Sequence, residues 1–303
     1  MAAVDSDEPV AFEALVMPRR ADAPRLSPVR GPLLRRIEIV DQHGERRPID
    51  IPAERPLTVF VDKRELVTLM TLGASPSLLV LGYLLNQNLI SQVGEVESID
   101  IDWDVNAAAV RTHLGLVDLR EKTARRVVTT GCGQGTVFGD AMAQIDNVQL
   151  PAVQSARIAQ ATLLRILELM RVRNSVHRQA GSVHGCALFH GTRMLVFTED
   201  VGRHNAIDTI AGWMGVHDVG GGDKIFYTTG RLTSEMVMKA AHMGVPIIVS
   251  RNGVTAMGHE LAEKLGMTLF GRAANRHFLC YTGFDRFDAE PSTHEATQSL
   301  VAD

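Results

Sequence analysis

From about Arg36 the chain alternates apolar and polar positions over short β-branched runs, first IEIVDQ and then LTVFVD. A period of two residues predicts half-buried strands. VESIDIDWDV and AAAVRTHL repeat the pattern as a second pair. Between the pairs, SPSLLVLGYLLNQ opens on Ser75-Pro76 and stays apolar for several turns, which predicts a buried helix with proline at its start. Up to Arg126 these elements describe a small α+β unit.

The periodicity then changes. VVTT, ending at Thr130, predicts a strand that runs into the glycine-rich turn Gly131-Cys132-Gly133-Gln134-Gly135, and an amphipathic helix is expected from about Ala152 to Arg173. CALFH and MLVFTE form a hairpin through Gly191-Thr192. Strand–turn–helix units follow: a helix over Arg203–Met214, the strand KIFYTT, a helix over Ser234–His242, the strand PIIVS, a helix over Thr255–Leu265, and the closing strands MTLFG and FLCYT. Such alternation predicts an α/β sheet covered on both faces. The organisation expected is therefore a leader without structure over 1–33, a small α+β domain over 34–126, an α/β domain over 127–283, and a tail over 284–303 that reads like the leader.

Composition narrows the function classes. With 303 residues, 45% of them hydrophobic, the chain can build a sizeable core, and a formal net charge of −4 argues against a protein that coats nucleic acid. The first ten residues, MAAVDSDEPV, are acidic where a secretory signal would be basic, and LLVLGYLL is far too short for a membrane span. A cytoplasmic location without membrane attachment is the expectation. Three cysteines, Cys132, Cys186 and Cys280, are too few and too scattered for a disulfide framework.

Candidate chemistry gathers in three turns that join a strand to a helix. They are Glu199-Asp200-Val201-Gly202-Arg203-His204-Asn205, Thr228-Thr229-Gly230-Arg231-Leu232-Thr233-Ser234, and Ser250-Arg251-Asn252-Gly253-Val254-Thr255. Each combines a glycine with an arginine and hydroxyl or amide groups, and in α/β sheets ligands sit beyond the carboxyl ends of strands. If consecutive strands are parallel, the second and third turns lie on one rim, where Arg231, Arg251 and two helix amino termini converge as suits an anionic ligand; Arg203, Thr229 and Ser250 are the further candidate contacts in these turns. The plainer reading makes Asp200, Thr233 and Thr255 helix caps and leaves the arginines solvated. Neither a P-loop nor a dinucleotide fingerprint is present, so a kinase or dinucleotide dehydrogenase is not expected. Cys132, between glycines at a strand end, is either a reactive thiol able to carry sulfur or a small residue fitted to a tight turn. Cys186 and Cys280 lie in apolar strand patterns and read as core. His177, His184 and His204 raise the question of a metal, but the ligand sets of zinc deaminases are missing, and no metal site is expected.

Several segments together resemble the formate dehydrogenase accessory proteins, the FdhD-type sulfur carriers. They are PLTVFVDKREL, TLGASPSLLVLGYLLNQNLI, the TTGCG turn, HRQAGSVHGCALF, EDVGRHNAID, and the stretch from KIFYTTGRLTSEMV to FLCYTG. The resemblance implies a cytidine-deaminase-like three-layer α/β domain beside the smaller amino-terminal one, and a homodimer. It further implies that sulfur is accepted from a cysteine desulfurase as a persulfide and passed to the bis-molybdopterin guanine dinucleotide cofactor of formate dehydrogenase, whose catalytic subunit would be the client. Guanine nucleotides would then be partial mimics of the ligand. The persulfide cysteine of the family matches Cys132, and its cofactor-contacting loop matches Arg272-Ala273-Ala274-Asn275-Arg276-His277. Two departures stand out: Gly135 occupies the place of a second motif cysteine, and the loop ends Arg276-His277, setting its arginine back by one position. Without the second thiol, a cofactor-binding chaperone that carries no sulfur is the alternative reading, and a nucleoside deaminase is suggested by the fold alone.

Overall fold

A computed structural model describes residues 9–115 and 148–290. In chain order the first part contains β1 (Phe12–Ala14), β2 (Arg25–Leu26), β3 (Leu34–Val40), β4 (Arg46–Pro52), β5 (Arg55–Val61), β6 (Arg64–Thr71), α1 (Pro76–Asn86), β7 (Val96–Asp102) and β8 (Ala107–Thr112). Five of these strands form a sheet in the order β2-β7-β8-β5-β6. Leu57, Val59, Leu69, Ile99 and Val110 bury one face of it against Leu79, Val80 and Leu84 of α1.

The α+β unit is thus present, but its first pairing differs from the expectation that IEIVDQ and LTVFVD belong together. β3 pairs with β4, and β5 with β6 and β8. The cause is local: the Asp41 carboxylate accepts from the amides of His43 (2.9 Å) and Glu45 (3.2 Å), closing a tight turn that hands β3 its own partner.

The second part contains β9 (Ile158–Ala159), α2 (Gln160–Val172), α3 (Val176–Ala180), β10 (His184–His190), β11 (Arg193–Asp200), α4 (Arg203–His217), β12 (Lys224–Thr228), α5 (Ser234–His242), β13 (Ile247–Ser250), α6 (Ala256–Leu265), β14 (Thr268–Ala274), β15 (His277–Thr282) and β16 (Phe287–Asp288). Its seven-stranded sheet runs β1-β11-β10-β12-β13-β14-β15. One face is covered by α4, α5 and α6 through Ile207, Ile210, Trp213, Met236, Val237 and Leu261. The other is covered by α2 through Leu163, Ile166 and Leu167. This is the expected α/β domain, in three layers.

Three expectations are corrected. The leader is ordered from Pro9: β1 adds to the sheet beside β11, and the Glu199 amide donates to the Ala11 carbonyl at 2.7 Å. The tail is ordered as far as Glu290, with Phe287 paired to Ile158 and an ion pair between Arg157 and Asp288. The helix expected from Ala152 begins only at Gln160. The reason is Arg286, buried at 3% exposure, whose guanidinium donates to the carbonyls of Pro151 (2.6 Å), Ala152 (3.1 Å) and Ala156 (3.2 Å). A continuous helix would commit those oxygens to its own amides.

The two units share a seam where α1 crosses α4. At the crossing stand two glycines: a Cβ on Gly82 would lie 1.7 Å from the Asp208 carbonyl oxygen, and one on Gly212 would lie 2.1 Å from that of Leu78. The backbones approach too closely for any side chain. Gly82→Ala is expected to force the helices apart and destabilise the chain by about 3 kcal/mol or more, read as a lowered urea midpoint.

Candidate functional site

β11 and β12 both run antiparallel to β10, and β12, β13 and β14 run parallel to one another. The carboxyl ends of β11, β12, β13 and β14 therefore share one rim of the sheet with the amino end of β10. All three polar turns, and the loop from Arg272 to His277, arise there. The second and third turns share a rim, as expected for parallel strands, and the first turn joins them there.

Neighbouring turns are stitched together by hydrogen bonds. Gly230 packs on the aliphatic part of Arg203, so closely that a Cβ would lie 2.8 Å from Cδ. The Ser250 hydroxyl donates to the Gly230 carbonyl (2.6 Å) and accepts from the Asn252 amide (2.9 Å). The Arg251 amide donates to the Thr228 carbonyl (3.1 Å), and the Arg272 amide to that of Asn252 (2.8 Å). The Thr229 hydroxyl accepts from the Gly185 amide (3.1 Å) and lies 3.4 Å from Nδ1 of His184.

These contacts divide the expected site residues. Arg203 is buried along the rim, while Arg231, Arg251 and Arg272 are exposed and Thr229 is half-buried. Ser250 is fully buried with its hydroxyl spent on Gly230 and Asn252, so it shapes the turn. Ala273 is buried in the core formed with α2, Ala274 is half-buried, and Asn275, Arg276 and His277 are exposed. Asn275 and Arg276 line a groove against α2. Cys132 lies outside the described residues.

The capping reading holds for one turn. The Thr255 hydroxyl accepts from the Gly258 amide (3.2 Å), but Thr233 makes no capping bond. Asp200 does more than cap. Its buried carboxylate accepts from the Thr71 hydroxyl (2.5 Å), the Leu72 amide (3.1 Å), the Gly202 amide (3.0 Å) and Asn205 Nδ2 (2.8 Å). The same Asn205 nitrogen reaches the Met70 carbonyl at 2.7 Å, so Asp200 and Asn205 tie the end of β6 to the first turn.

Burial nevertheless pushes the Asp200 carboxyl up to about 6, against the pull of those donors. A carboxyl with a raised folded value favours the fold most when protonated, and that contribution fades as pH rises through the folded value. The stability difference between the unaltered chain and Asp200→Asn is expected to grow as pH falls from about 6 towards about 4. Paired urea titrations across that range measure it, and a pH-independent difference would be the contrary result.

His184, which pattern alone did not single out as ligand-facing, is placed at the rim, and Gly230, the glycine of the second turn, packs on Arg203 there. His184 is half-buried, and burial together with Arg203, His177 and Arg231 holds its pKa below the ordinary value, keeping the imidazole neutral among cations. Gly230 sets the position of Arg203. The only sequence signal for Gly230 is its place in TTGR, and for His184 its place at the start of a strand that runs antiparallel to its neighbours. His204 is nearly buried, 3.3 Å from Glu235, and is pushed down to about 2 by burial and by Lys239 and Arg203. Among the described residues no group of three or more His, Cys, Asp or Glu side chains is disposed to hold a metal ion. No helix among them is long and apolar enough to cross a membrane.

The two described thiols have a different character. Cys186 is fully buried beneath the rim, its Sγ 3.2 Å from the Thr228 hydroxyl, and burial pushes it up to about 12. Half-buried Cys280 is pushed up to about 11 for the same reason. Neither is a thiolate near neutral pH.

Comparison with known proteins agrees with this architecture. The profile of the FdhD/NarQ family matches residues 52–288. The chain belongs to the FdhD/NarQ family. Among similar members, the sulfur carrier protein FdhD of Bacillus licheniformis is 30% identical over 250 residues, covering 82% of this chain and 92% of that protein. The sulfur carrier protein FdhD of Bacillus subtilis is 30% identical over 234 residues, covering 77% and 88%. A solved chain from Desulfotalea psychrophila, described as a formate dehydrogenase accessory protein, superposes with a TM-score of 0.67 at 24% identity over 84% of this chain and 100% of its own. At that identity the likeness speaks for the FdhD/NarQ fold alone.

Proposed function

We propose that the protein is a sulfur carrier for formate dehydrogenase, with Cys132 as the atom that is loaded. The supporting observation is one of elimination: of three cysteines, Cys186 is buried and Cys280 half-buried, each with its thiol held protonated by that burial, which leaves Cys132. The loading step is a thiolate exchange. The Cys132 thiolate attacks the outer sulfur of a cysteine desulfurase persulfide, the donor S–S bond breaks, the donor cysteine departs as its thiolate, and a persulfide remains on Cys132.

The client is read as bis-molybdopterin guanine dinucleotide, taken as substrate. It is large and carries several phosphates. Arg203, Arg231, Arg251 and Arg272 would supply guanidinium forks to those phosphates along the rim, with Thr229 as a neutral partner. Gly230 lets the chain run close to Arg203, and the Asn275–His277 end of the last loop extends the basic surface. A homodimer and the catalytic subunit of formate dehydrogenase as partner belong to the same proposal.

Incubation with a cysteine desulfurase and cysteine is expected to add one sulfur to the unaltered chain by mass spectrometry. Labelling that persists in Cys132→Ala would refute the assignment. For the pocket, Arg231→Ala and Arg251→Ala are each expected to weaken GDP binding about tenfold in calorimetry, the loss of one charge-assisted contact. Unchanged affinity would show that the phosphates lie elsewhere.

A further inference from the structure

At the end of α4 and α5 away from the rim lies a cavity of about 740 Å3, within the size range of small-molecule sites. Three helices finish on it: α1 brings Leu85 and Asn86, α4 brings Met214 and Asp218, and α5 brings His242 and Met243. α4 starts at the rim and has 15 residues, so at about 1.5 Å per residue the cavity stands roughly 20 Å from the arginine-bearing turns. It shares no residue with them.

The groups that set its charge are acceptors. Helix carboxyl ends present unpaired carbonyls and the negative pole of the helix dipole. Asn86 gives its Nδ2 to Asp208 (2.7 Å), so the amide oxygen is the group it has left. His242 is half-buried, and its Nδ1 is buried without a hydrogen-bond partner. Burial and the charge of Lys239 hold this imidazole below its ordinary pKa, so it stays neutral and keeps a lone pair on one ring nitrogen. Asp218 meets Arg20 through Oδ1 alone (3.1 Å), while Arg20 is gripped at two nitrogens by Asp22. No lysine or arginine is among the lining residues, and Lys239, one turn back along α5, is held by both oxygens of Asp208. Asn88, Ser91 and Gln149 are neutral and can face a donor or an acceptor.

We propose that this cavity binds a small organic cation, a primary ammonium on an apolar body. The ammonium shares its three N–H groups among Asp218, the Asn86 oxygen, His242 and the helix-end carbonyls. The body packs on Leu85, Ile90, Met214 and Met243, where two thioethers favour an aromatic ring. A carboxylate of the same shape would face the dipoles and Asp218 with the wrong sign. The inference uses nothing of the sulfur assignment and does not depend on it.

The test is a titration of the full chain with phenethylamine, followed by NMR of the His242 imidazole proton, which is assigned by its loss in His242→Gln. The ammonium is expected to shift that resonance and to bind at least about tenfold more tightly than the neutral 2-phenylethanol, while 3-phenylpropanoate does not bind. Asp218→Asn keeps a residue that tolerates the left-handed backbone (φ 55) and should weaken binding about fivefold. His242→Lys places a cation in the cavity and should abolish binding in a chain whose urea midpoint shows it folded. Arg231→Ala, at the rim, should leave the amine affinity unchanged. Equal affinity for amine and alcohol would make the cavity merely apolar and overturn the proposal. So would an unmoved His242 resonance, indifference to Asp218→Asn, or an equal loss in Arg231→Ala.

Discussion

Replacing Cys132 with alanine is expected to reduce formate dehydrogenase activity, in cells that depend on this chain, to the level of cells lacking it. The argument is chemical. Sulfane transfer needs a thiolate that a donor persulfide can reach: Cys186 fails on both counts, being enclosed and pushed up to about 12, and half-buried Cys280 fails as a thiolate, pushed up to about 11. On the proposed reading, removing Cys132 thus removes the cysteine that the two described thiols cannot replace. Serine at the same position should behave like alanine, since an oxygen cannot accept sulfane sulfur. Activity retained in Cys132→Ala would instead favour a chaperone that binds the cofactor without carrying sulfur. Gly135 adds a second arm. A persulfide on Cys132 has no thiol three residues on to attack it, so Gly135→Cys is expected to shorten the lifetime of the loaded form and release sulfide faster in a chase experiment.

The second large effect is structural. Lys239→Met is expected to destabilise the protein by about 3–5 kcal/mol, the cost of leaving one buried charge without its counter-ion. Lys239 and Asp208 are 3% and 1% exposed, with Nζ 2.9 Å from Oδ1 and 2.7 Å from Oδ2. Asn86 Nδ2 donates to the same carboxylate at 2.7 Å, so α1, α4 and α5 meet on one anion. Burial pushes the Asp208 carboxyl up while Lys239 pulls it down. Without Lys239 the carboxyl is driven to take a proton, and Asn86 alone remains to hold it. Combining Lys239→Met with Asp208→Asn should recover a large part of the loss, because no charge is then stranded. Urea unfolding of the single and double variants measures both, and equal losses would show that packing, not charge, sets the effect.

Much of the fold was legible because strands and helices of the α/β unit carry strong periodicity. Ser234–His242 coincides with α5, and the hairpin through Gly191-Thr192 is β10–β11. What escaped was set by contacts distant in sequence. Nothing near Ala152 says that Arg286 will claim its carbonyl, so the pattern places the start of α2 eight residues too early. The segment around Phe12 looks aperiodic because a three-residue edge strand is too short to show a period. At the rim, the arginines and their turns could be read from strand–turn–helix logic. Asp200 could be seen only as a cap, since its partners are Thr71, the last residue of a strand in a different sheet, and Leu72 just beyond it. Gly82 and Gly212 gave no signal, as a glycine inside an apolar helix looks like an imperfection until the second backbone is seen against it.

That crossing has a consequence for how the molecule comes apart. Leu78 of α1 packs into the interiors on both sides of it, and Val216 of α4 belongs to the interior of the smaller unit. Neither half closes its own hydrophobic volume, so heating should melt them together in a single calorimetric peak. A fragment ending near residue 115 would carry α1 with its glycine-lined flank bare to water.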